Sequence, residues 1–409
     1  MKQLAINGDD KAVTALPERF HFGAEELAAV RKLFETAITT GCAPGYNGPE
    51  EEAFCREFAD YLGGGWVDGV NSGTNSLFVA LRALDLPPFS EVVVGAITDP
   101  GGMMPIVINS LIPVIADTRP GAYNIGPEEV EAVITERTRA IIVPHIGGEP
   151  ADIEGIMRVA SRYNLPVIED CAQSHGAAIN GRKVGTFGTI GAFSLMFGKH
   201  FCTGGQGGAL FCRDEELYWR IRRAADRGKP FGLEKSNGNV TASLNCNLDE
   251  FGAAIGRAQL RKLPEIVTRR RRFMELLEQA GLGKLNCVEI PRQLPGAESS
   301  CWWWRLRFRA ENSRVDKLEY CAALAAEGLQ LTPQYHALPG DYDWFRDRAS
   351  RHPWNNPLYH GDPSRDFPCP NAHQAVIDHF NLVVYESWAE PQAEAIAEAF
   401  AKVDAAYSR

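Results

Sequence analysis

No stretch of this 409-residue chain approaches the ~20 consecutive apolar residues that span a bilayer, so a helical membrane protein is excluded. Long basic tracts are also missing. The formal net charge is −10, and broad nucleic-acid binding needs many clustered lysines and arginines. The one basic run, Arg269 to Arg272, is short and sits in a helical pattern, where a solvated or interface face is expected. None of the ten cysteines forms a Cys-x-x-Cys pair, so neither a zinc framework nor a disulfide framework is supported, and no metal site is expected. Cys42, Cys55, Cys171, Cys202 and Cys212 read as reduced thiols, mostly buried. The first ten residues lack a continuous apolar core and do not read as a secretory signal. Internal repeats and low-complexity segments are absent. A soluble cytoplasmic protein is the expectation.

What is present is a large apolar fraction, 45% of residues, enough for a sizeable core and two domains. Helical spacing covers 24–38, 50–62, 76–84, 128–134 and 153–163. Between these lie short strand-like runs at 91–96, 112–116, 140–144, 166–169, 191–194 and 208–212. Such alternation predicts an α/β layered domain with a mainly parallel sheet, whose ligands gather where strand ends meet helix N-termini. A long helix is expected from Asp249 to about Ala280, kinked or divided at Pro264. Beyond it, a strand at 302–308 and helices at 315–327 and 390–407 predict a smaller α+β unit. The boundaries are 1–262, with an N-terminal arm at 1–22, and 263–409. Residues 334–370, rich in Pro, His, Trp and Tyr, read as a long ordered loop over a site.

The chemistry concentrates around Lys199, which follows Phe193-Ser194-Leu195-Met196-Phe197-Gly198 and precedes the glycine-rich run 203–209. Upstream, the apolar strand Val167-Ile168 ends in Glu169-Asp170. Pyridoxal 5′-phosphate needs three such groups: a lysine to form a Schiff base with its aldehyde, a carboxylate to keep its pyridine nitrogen protonated, and a hydroxyl with backbone amides for its phosphate. Asn71-Ser72-Gly73-Thr74 opens a helix after a strand, which is an anion-binding arrangement, although Ser and Thr favour N-caps without any ligand. Each piece alone reads more readily as a surface lysine, a strand end or a turn. Their order and spacing together carry the argument.

These segments, with His145-Ile146-Gly147-Gly148-Glu149-Pro150-Ala151-Asp152 and Asn245-Cys246-Asn247-Leu248-Asp249-Glu250, resemble the DegT/DnrJ/StrS-type aminotransferases from about residue 20 onward. The resemblance implies a fold-type-I homodimer with shared active sites. It implies Lys199 as the Schiff-base lysine and Asp170 as the partner of the pyridine nitrogen. Gln173 would pack on one ring face, while Gly73, Thr74 and Ser194 would hold the phosphate. Asn245 would reach the phosphate of the neighbouring subunit. It also implies an amino donor, glutamate or glutamine, and a keto-sugar, sugar-nucleotide or keto-cyclitol acceptor.

Three departures stand out. Asp99-Pro100-Gly101-Gly102 occupies the place where the family stacks an aromatic residue on the cofactor. Asp226-Arg227-Gly228 replaces Asn-His-Gly. The segment after Tyr335 differs from the family's substrate loop. Trp302-Trp303-Trp304 is a possible pocket wall, but an apolar strand is the expected home of at least two of the three. Two other readings stay open. One is a sugar dehydratase of the same family, in which histidine replaces the lysine; here His200 is adjacent. The other is a non-catalytic binding protein that retains the fold.

Overall fold

The computed structural model describes residues 3–19, 21–347 and 352–409. After an extended arm come α1 (Ala24–Thr40) and α2 (Pro49–Tyr61). Strands β1 (Trp66–Val70), β2 (Glu91–Gly95), β3 (Ile112–Ala116), β4 (Thr138–Pro144) and β5 (Val167–Asp170) alternate with α3 (Gly73–Leu84), α4 (Pro100–Ile108), α5 (Pro127–Glu131) and α6 (Ile153–Tyr163). A small hairpin, β6 (Ala178–Ile179) and β7 (Arg182–Lys183), precedes β8 (Ile190–Ser194), β9 (Gly208–Cys212), α7 (Glu215–Ala225) and α8 (Glu250–Gln279). The remainder carries β10 (Val288–Glu289), β11 (Ala297–Glu298), β12 (Trp303–Phe308), α9 (Lys317–Ala326), β13 (Leu331–Thr332), α10 (Asp343–Arg346), α11 (Pro370–Asp378), β14 (His379–Val383) and α12 (Glu390–Tyr407).

Seven strands form the central sheet in the order β1-β9-β8-β5-β4-β2-β3. Only β9 runs against its neighbours. Every residue of β2, β3, β5, β8 and β9 is buried, as a parallel sheet covered on both faces requires. Each Val or Ile fully buried there contributes roughly 1.5–3 kcal/mol. The covering helices show the complementary pattern. In α6, Ile153, Ile156, Val159 and Ala160 turn inward, Asp152 caps the first turn by accepting from Gly155 N at 2.9 Å, and Asn164 ends it in the left-handed region.

A second, antiparallel sheet, β10-β12-β14-β13, packs against α8, α9 and α12 around Phe273, Trp304, Leu306, Phe380 and Phe400. α8 is one helix through Pro264, so the proline does not divide it. An interior proline forfeits a hydrogen bond and costs about 3 kcal/mol; burial of Leu260, Leu263, Ile266 and Val267 around it offsets that cost. The expected loop at 334–370 contains α10 and short helical turns, and its residues 348–351 lie outside the described ones. Its Phe345, Trp354 and Tyr359 join the core of the large sheet. All ten cysteines are free thiols and all but Cys42 are buried. No helix among the described residues is long and apolar enough to cross a membrane.

Phe273 is fully buried and meets Trp388 edge-on at 5.5 Å. Phe273→Ala is expected to remove about 3–5 kcal/mol, read as a lower urea midpoint. The exposed Leu318→Ala on α9 should stay within about 0.5 kcal/mol. Equal midpoints for the two variants would contradict this placement of the core.

Candidate active site

The C-terminal ends of β1, β4, β5 and β8 open on one side of the sheet. There a cavity of about 230 Å³ is lined by Ser72, Gly73, Thr74, Asp99, His145, Asp170, Gln173, Ser194 and Lys199, among others. Six of the seven predicted site residues therefore share one cavity. The seventh, Asn245, does not line it. Asn245 stands exposed in an isolated bridge to Asp226, just before α8.

Asp170 ends β5 with its side chain toward the cavity, while Glu169, one residue earlier, points to the other face. The Asp170 Oδ1 accepts from Ala172 N at 3.0 Å. Burial pushes its carboxyl upward, opposed by that amide and by Lys199. Lys199, 7% exposed, is lowered to about 8 because burial disfavours its ammonium, while Asp170 and Asp99 favour it. Its Nζ lies 4.0 Å from the centroid of Trp302. Gln173 is held at both ends: Oε1 accepts from Gly147 N and Nε2 donates to the Tyr335 hydroxyl, each at 2.9 Å.

At the opposite end, Ser72 caps α3. Its hydroxyl takes the Asn75 amide at 3.1 Å and its carbonyl takes the Ser76 amide. The two preceding helical amides, of Gly73 and Thr74, have no acceptor within the helix. Gly73 is required here by space, since a Cβ would lie 2.5 Å from that of Ser194. This close approach puts the Ser194 hydroxyl beside the helix N-terminus, which is a cradle for an anionic group. A cation-seeking buried carboxylate, a buried amine and an anion cradle, set along one cavity, fit pyridoxal phosphate end to end.

The segment that lacks the expected aromatic is the start of α4. Asp99 caps it, accepting from Gly101 N at 2.8 Å. Gly102 sits so close that a Cβ would lie 3.3 Å from Asp170 Oδ2 and 2.2 Å from Thr98 Oγ1. The wall there is backbone and small side chains rather than a ring. Trp303 and Trp304 lie on β12, with Trp304 in the core, while Trp302 precedes the strand and meets Lys199. Sequence reasoning did not single out Tyr335 or Asp99 as site residues, and it offered Trp302 only as one of three tryptophans for a pocket wall. Its only signals for them were the altered loop, the tryptophan run and the missing aromatic.

His145, Glu169 and Cys171 place one potential metal-ligand atom each within 4.8 Å of one another. Hydrogen bonding accounts for the first two. His145 Nδ1 accepts from Ala151 N, so Nε2 carries the proton and donates to Glu169 at 3.1 Å. Glu169 also accepts from the amides of Gly185, Phe187 and Gly188. No lone pair of His145 remains for an ion. His200, the adjacent histidine, faces away from the cavity, with Nε2 bonded to Ser300 O at 3.0 Å. A larger depression of about 470 Å³ is lined by Asp341, Arg346, Arg365, Asp366 and His373, where Asp341 pairs with Arg346 and His373 at 2.7 and 2.8 Å.

The sequence profile of the DegT/DnrJ/EryC1/StrS aminotransferases matches residues 23–401. The chain is 33% identical over 354 residues to L-glutamine:2-deoxy-scyllo-inosose aminotransferase of Streptomyces fradiae, covering 83% of this chain and 79% of that one. It is 34% identical over 346 residues to UDP-N-acetyl-3-dehydro-alpha-D-glucosamine 3-aminotransferase of Acidithiobacillus ferrooxidans, covering 83% and 89%. The crystal structure of an aminotransferase from Psychrobacter cryohalolentis superposes with a TM-score of 0.85 at 25% identity, covering 96% and 99%. The α/β architecture with its mainly parallel sheet is thus shared with solved aminotransferases. This chain belongs to the DegT/DnrJ/EryC1/StrS aminotransferase family and is a pyridoxal-phosphate-dependent aminotransferase.

Proposed function

We propose that the chain moves an amino group from glutamine or glutamate to the carbonyl of a keto-sugar, sugar nucleotide or keto-cyclitol. The observation that carries this reading is the joint presence of the buried Lys199, Asp170 and Ser194 on one cavity, in a chain similar over most of its length to sugar and cyclitol aminotransferases. When bound, the cofactor supplies an aldehyde that condenses with amines and a ring that takes up electron density from the substrate carbon.

The chain's own residues divide the remaining work. Lys199 would be the covalent attachment point and the base that moves a proton at the substrate carbon. A downward-shifted amine near pH 8 can do both near neutrality. Asp170 supplies the negative charge that keeps the pyridine nitrogen protonated. Gln173, pinned between Gly147 and Tyr335, would pack against one face of the ring. The amides of Gly73 and Thr74 and the Ser194 hydroxyl would hold the phosphate. The dehydratase reading needs a histidine in place of the lysine, and His200 turns away from the cavity.

The working unit is a homodimer in which Asn245 reaches the partner's site. Its support is the apolar surface on the same side. α1 buries only Glu26 among its residues, and Leu27, Phe34 and Ile38 are 61%, 54% and 81% exposed. Phe197 and Leu244, neighbours of Lys199 and Asn245, are exposed too. Exposed apolar patches of this kind mark association surfaces. We place the cofactor-binding unit at 1–262, with its arm at 1–22, and the smaller unit at 263–409, with α8 spanning the join. The free cysteines fit the reducing cytoplasm.

The test is a half-reaction screen. Glutamine or glutamate added to yellow holoenzyme should bleach the visible cofactor band, and the true keto acceptor should restore it. If no amino donor bleaches the band, the reading fails. Borohydride reduction should fix the cofactor on the peptide that contains Lys199, and Lys199→Ala should abolish turnover. Full turnover in Lys199→Ala would contradict its role. Asp170→Asn, equal in size but uncharged, should lower turnover at least ~10²-fold, the scale of losing a preorganised electrostatic partner; wild-type turnover would remove Asp170 from the chemistry.

For the dimer, inactive Lys199→Ala subunits mixed with inactive Asn245→Ala subunits should regain activity, because a hybrid gathers both lesions in one site and leaves the other intact. Both mutants must fold and dimerise alone, and exchange must be shown directly. No recovery after demonstrated exchange would place Asn245 outside the partner's site.

A further inference from the structure

Arg270 departs from the solvated face expected of the 269–272 run. Its neighbours Arg269 and Arg272 are exposed and paired with glutamates on their own helix. Arg270 itself is 1% exposed. Its Nε and Nη2 donate to Glu386 Oε2 at 2.9 and 2.8 Å. Its Nη1 donates to the carbonyls of Cys301 and Trp302 at 2.9 and 3.2 Å. Glu386 lies between β14 and α12, and its other oxygen accepts from Arg19 Nε at 3.0 Å. Arg19 sits on the N-terminal arm and directs its two free nitrogens at the carbonyls of Lys199 and His200, at 2.9 and 3.2 Å.

The two arginines thus use Glu386 as a common anchor and spend their remaining donors on backbone either side of the reactive amine. One holds the Lys199 peptide itself. The other holds the peptide of Trp302, whose ring lies under Lys199 Nζ and whose Nε1 donates to Gly198 O at 3.1 Å. The Trp302 amide is also fixed, on Gly147 O. Five separate segments meet here: the arm, the 198–200 loop, α8, the approach to β12 and the loop before α12.

Stability alone is a poor account of this cluster. Burying three ions costs several kcal/mol each in desolvation, and apolar replacements of buried ion clusters are often neutral or stabilising. Nor do the charges cancel, since two guanidiniums face one carboxylate. Glu386 is accordingly held far below the usual carboxylate range: burial opposes its charge, but His21 and the two arginines outweigh it. What the cluster does supply is geometry, since each planar guanidinium reaches both the Glu386 carboxylate and backbone carbonyls with fixed N–H directions that a lysine cannot reproduce.

We propose that Arg19, Glu386 and Arg270 are positioning residues that set the Lys199 amine against the Trp302 ring and hold it inside the cavity whenever it is not bonded to the cofactor. The proposal rests on Lys199 being the reactive amine, so the test reads the amine without relying on turnover.

The measurement is the pH dependence of Lys199 acylation by acetic anhydride in the full-length, cofactor-free protein, followed by peptide mass spectrometry. Asp170, Asp99 and His175 are the titratable groups that face this amine in the structure. The wild-type midpoint is expected near 8. Trp302→Leu keeps the site apolar but removes the ring face, so its midpoint should fall by about half to one pH unit. Arg19→Lys keeps the charge but loses the forked contact. Lys199 should then reach water, and its midpoint should rise by about half a unit or more.

In holoenzyme, Arg19→Lys should slow the donor half-reaction about tenfold or more with donor affinity unchanged, the signature of lost positioning. Glu386→Gln should match Arg19→Lys where it folds; where it does not, the Arg19 variants decide. A wild-type midpoint and half-reaction rate in Arg19→Lys, with a shift only in Arg19→Met, would reduce the cluster to a local charge and overturn the proposal. Borohydride label found away from Lys199 in wild-type enzyme would instead sink the functional reading and leave the acylation result interpretable by itself.

Discussion

A carboxylate buried at the end of a parallel strand is the constraint on which the rest of this structure turns. Asp170 has one amide donor among the described residues and a wall of glycine backbone against its second oxygen. Such a group is costly unless a cation faces it. Lys199 meets part of that demand, and a protonated pyridine ring would meet it more fully. The same strand shows the contrast one residue away. Glu169, on the opposite face, has its negative charge answered by three backbone amides and His145, and so acts as a structural anchor. Adjacent carboxylates on one strand have separate functions because β-strand geometry sends them to opposite sides.

From that floor the site is built outward by elements distant in sequence. The C-terminal strand ends supply Asp170 and Ser194, the N-terminus of α3 supplies the anion cradle, and the smaller sheet delivers Trp302. The 334–370 segment brings Tyr335 onto Gln173, and Ala337 O takes the Thr98 amide at 2.9 Å. The arm reaches across through Arg19. Lys199 is therefore held by parts of the chain that are each stabilised elsewhere, which is how a buried, destabilised amine stays in place.

Much of this was legible in the sequence. The strands at 112–116 and 208–212 and the helices at 153–163 and 390–407 match the expected spans because their apolar spacing and caps agree. The grouping of Gly73, Thr74, Asp170, Gln173, Ser194 and Lys199 around one cavity was legible because these residues occur in short contiguous motifs. α4 was not, because Pro100, Gly101, Gly102 and Pro105 read as a turn; Pro100 instead occupies the first helical position behind the Asp99 cap. α11 hides in the same way, with Pro370 in its first turn. The contacts of the Arg19–Glu386–Arg270 cluster join residues 367 and 116 positions apart in the chain, and no local pattern announces such a meeting. Arg270 in particular looked like its solvated neighbours, since burial of one member of a basic run is decided by tertiary packing alone.

The central claim is that Asp170 would keep the pyridine nitrogen of the bound cofactor protonated. It is tested most directly by the 15N chemical shift of the ring nitrogen in holoenzyme reconstituted with 15N-labelled pyridoxal phosphate. The account predicts a protonated-type shift in the wild type and a neutral-type shift in Asp170→Asn with the cofactor still bound. A neutral-type shift in the wild type, or a protonated one that survives loss of the Asp170 charge, would contradict it.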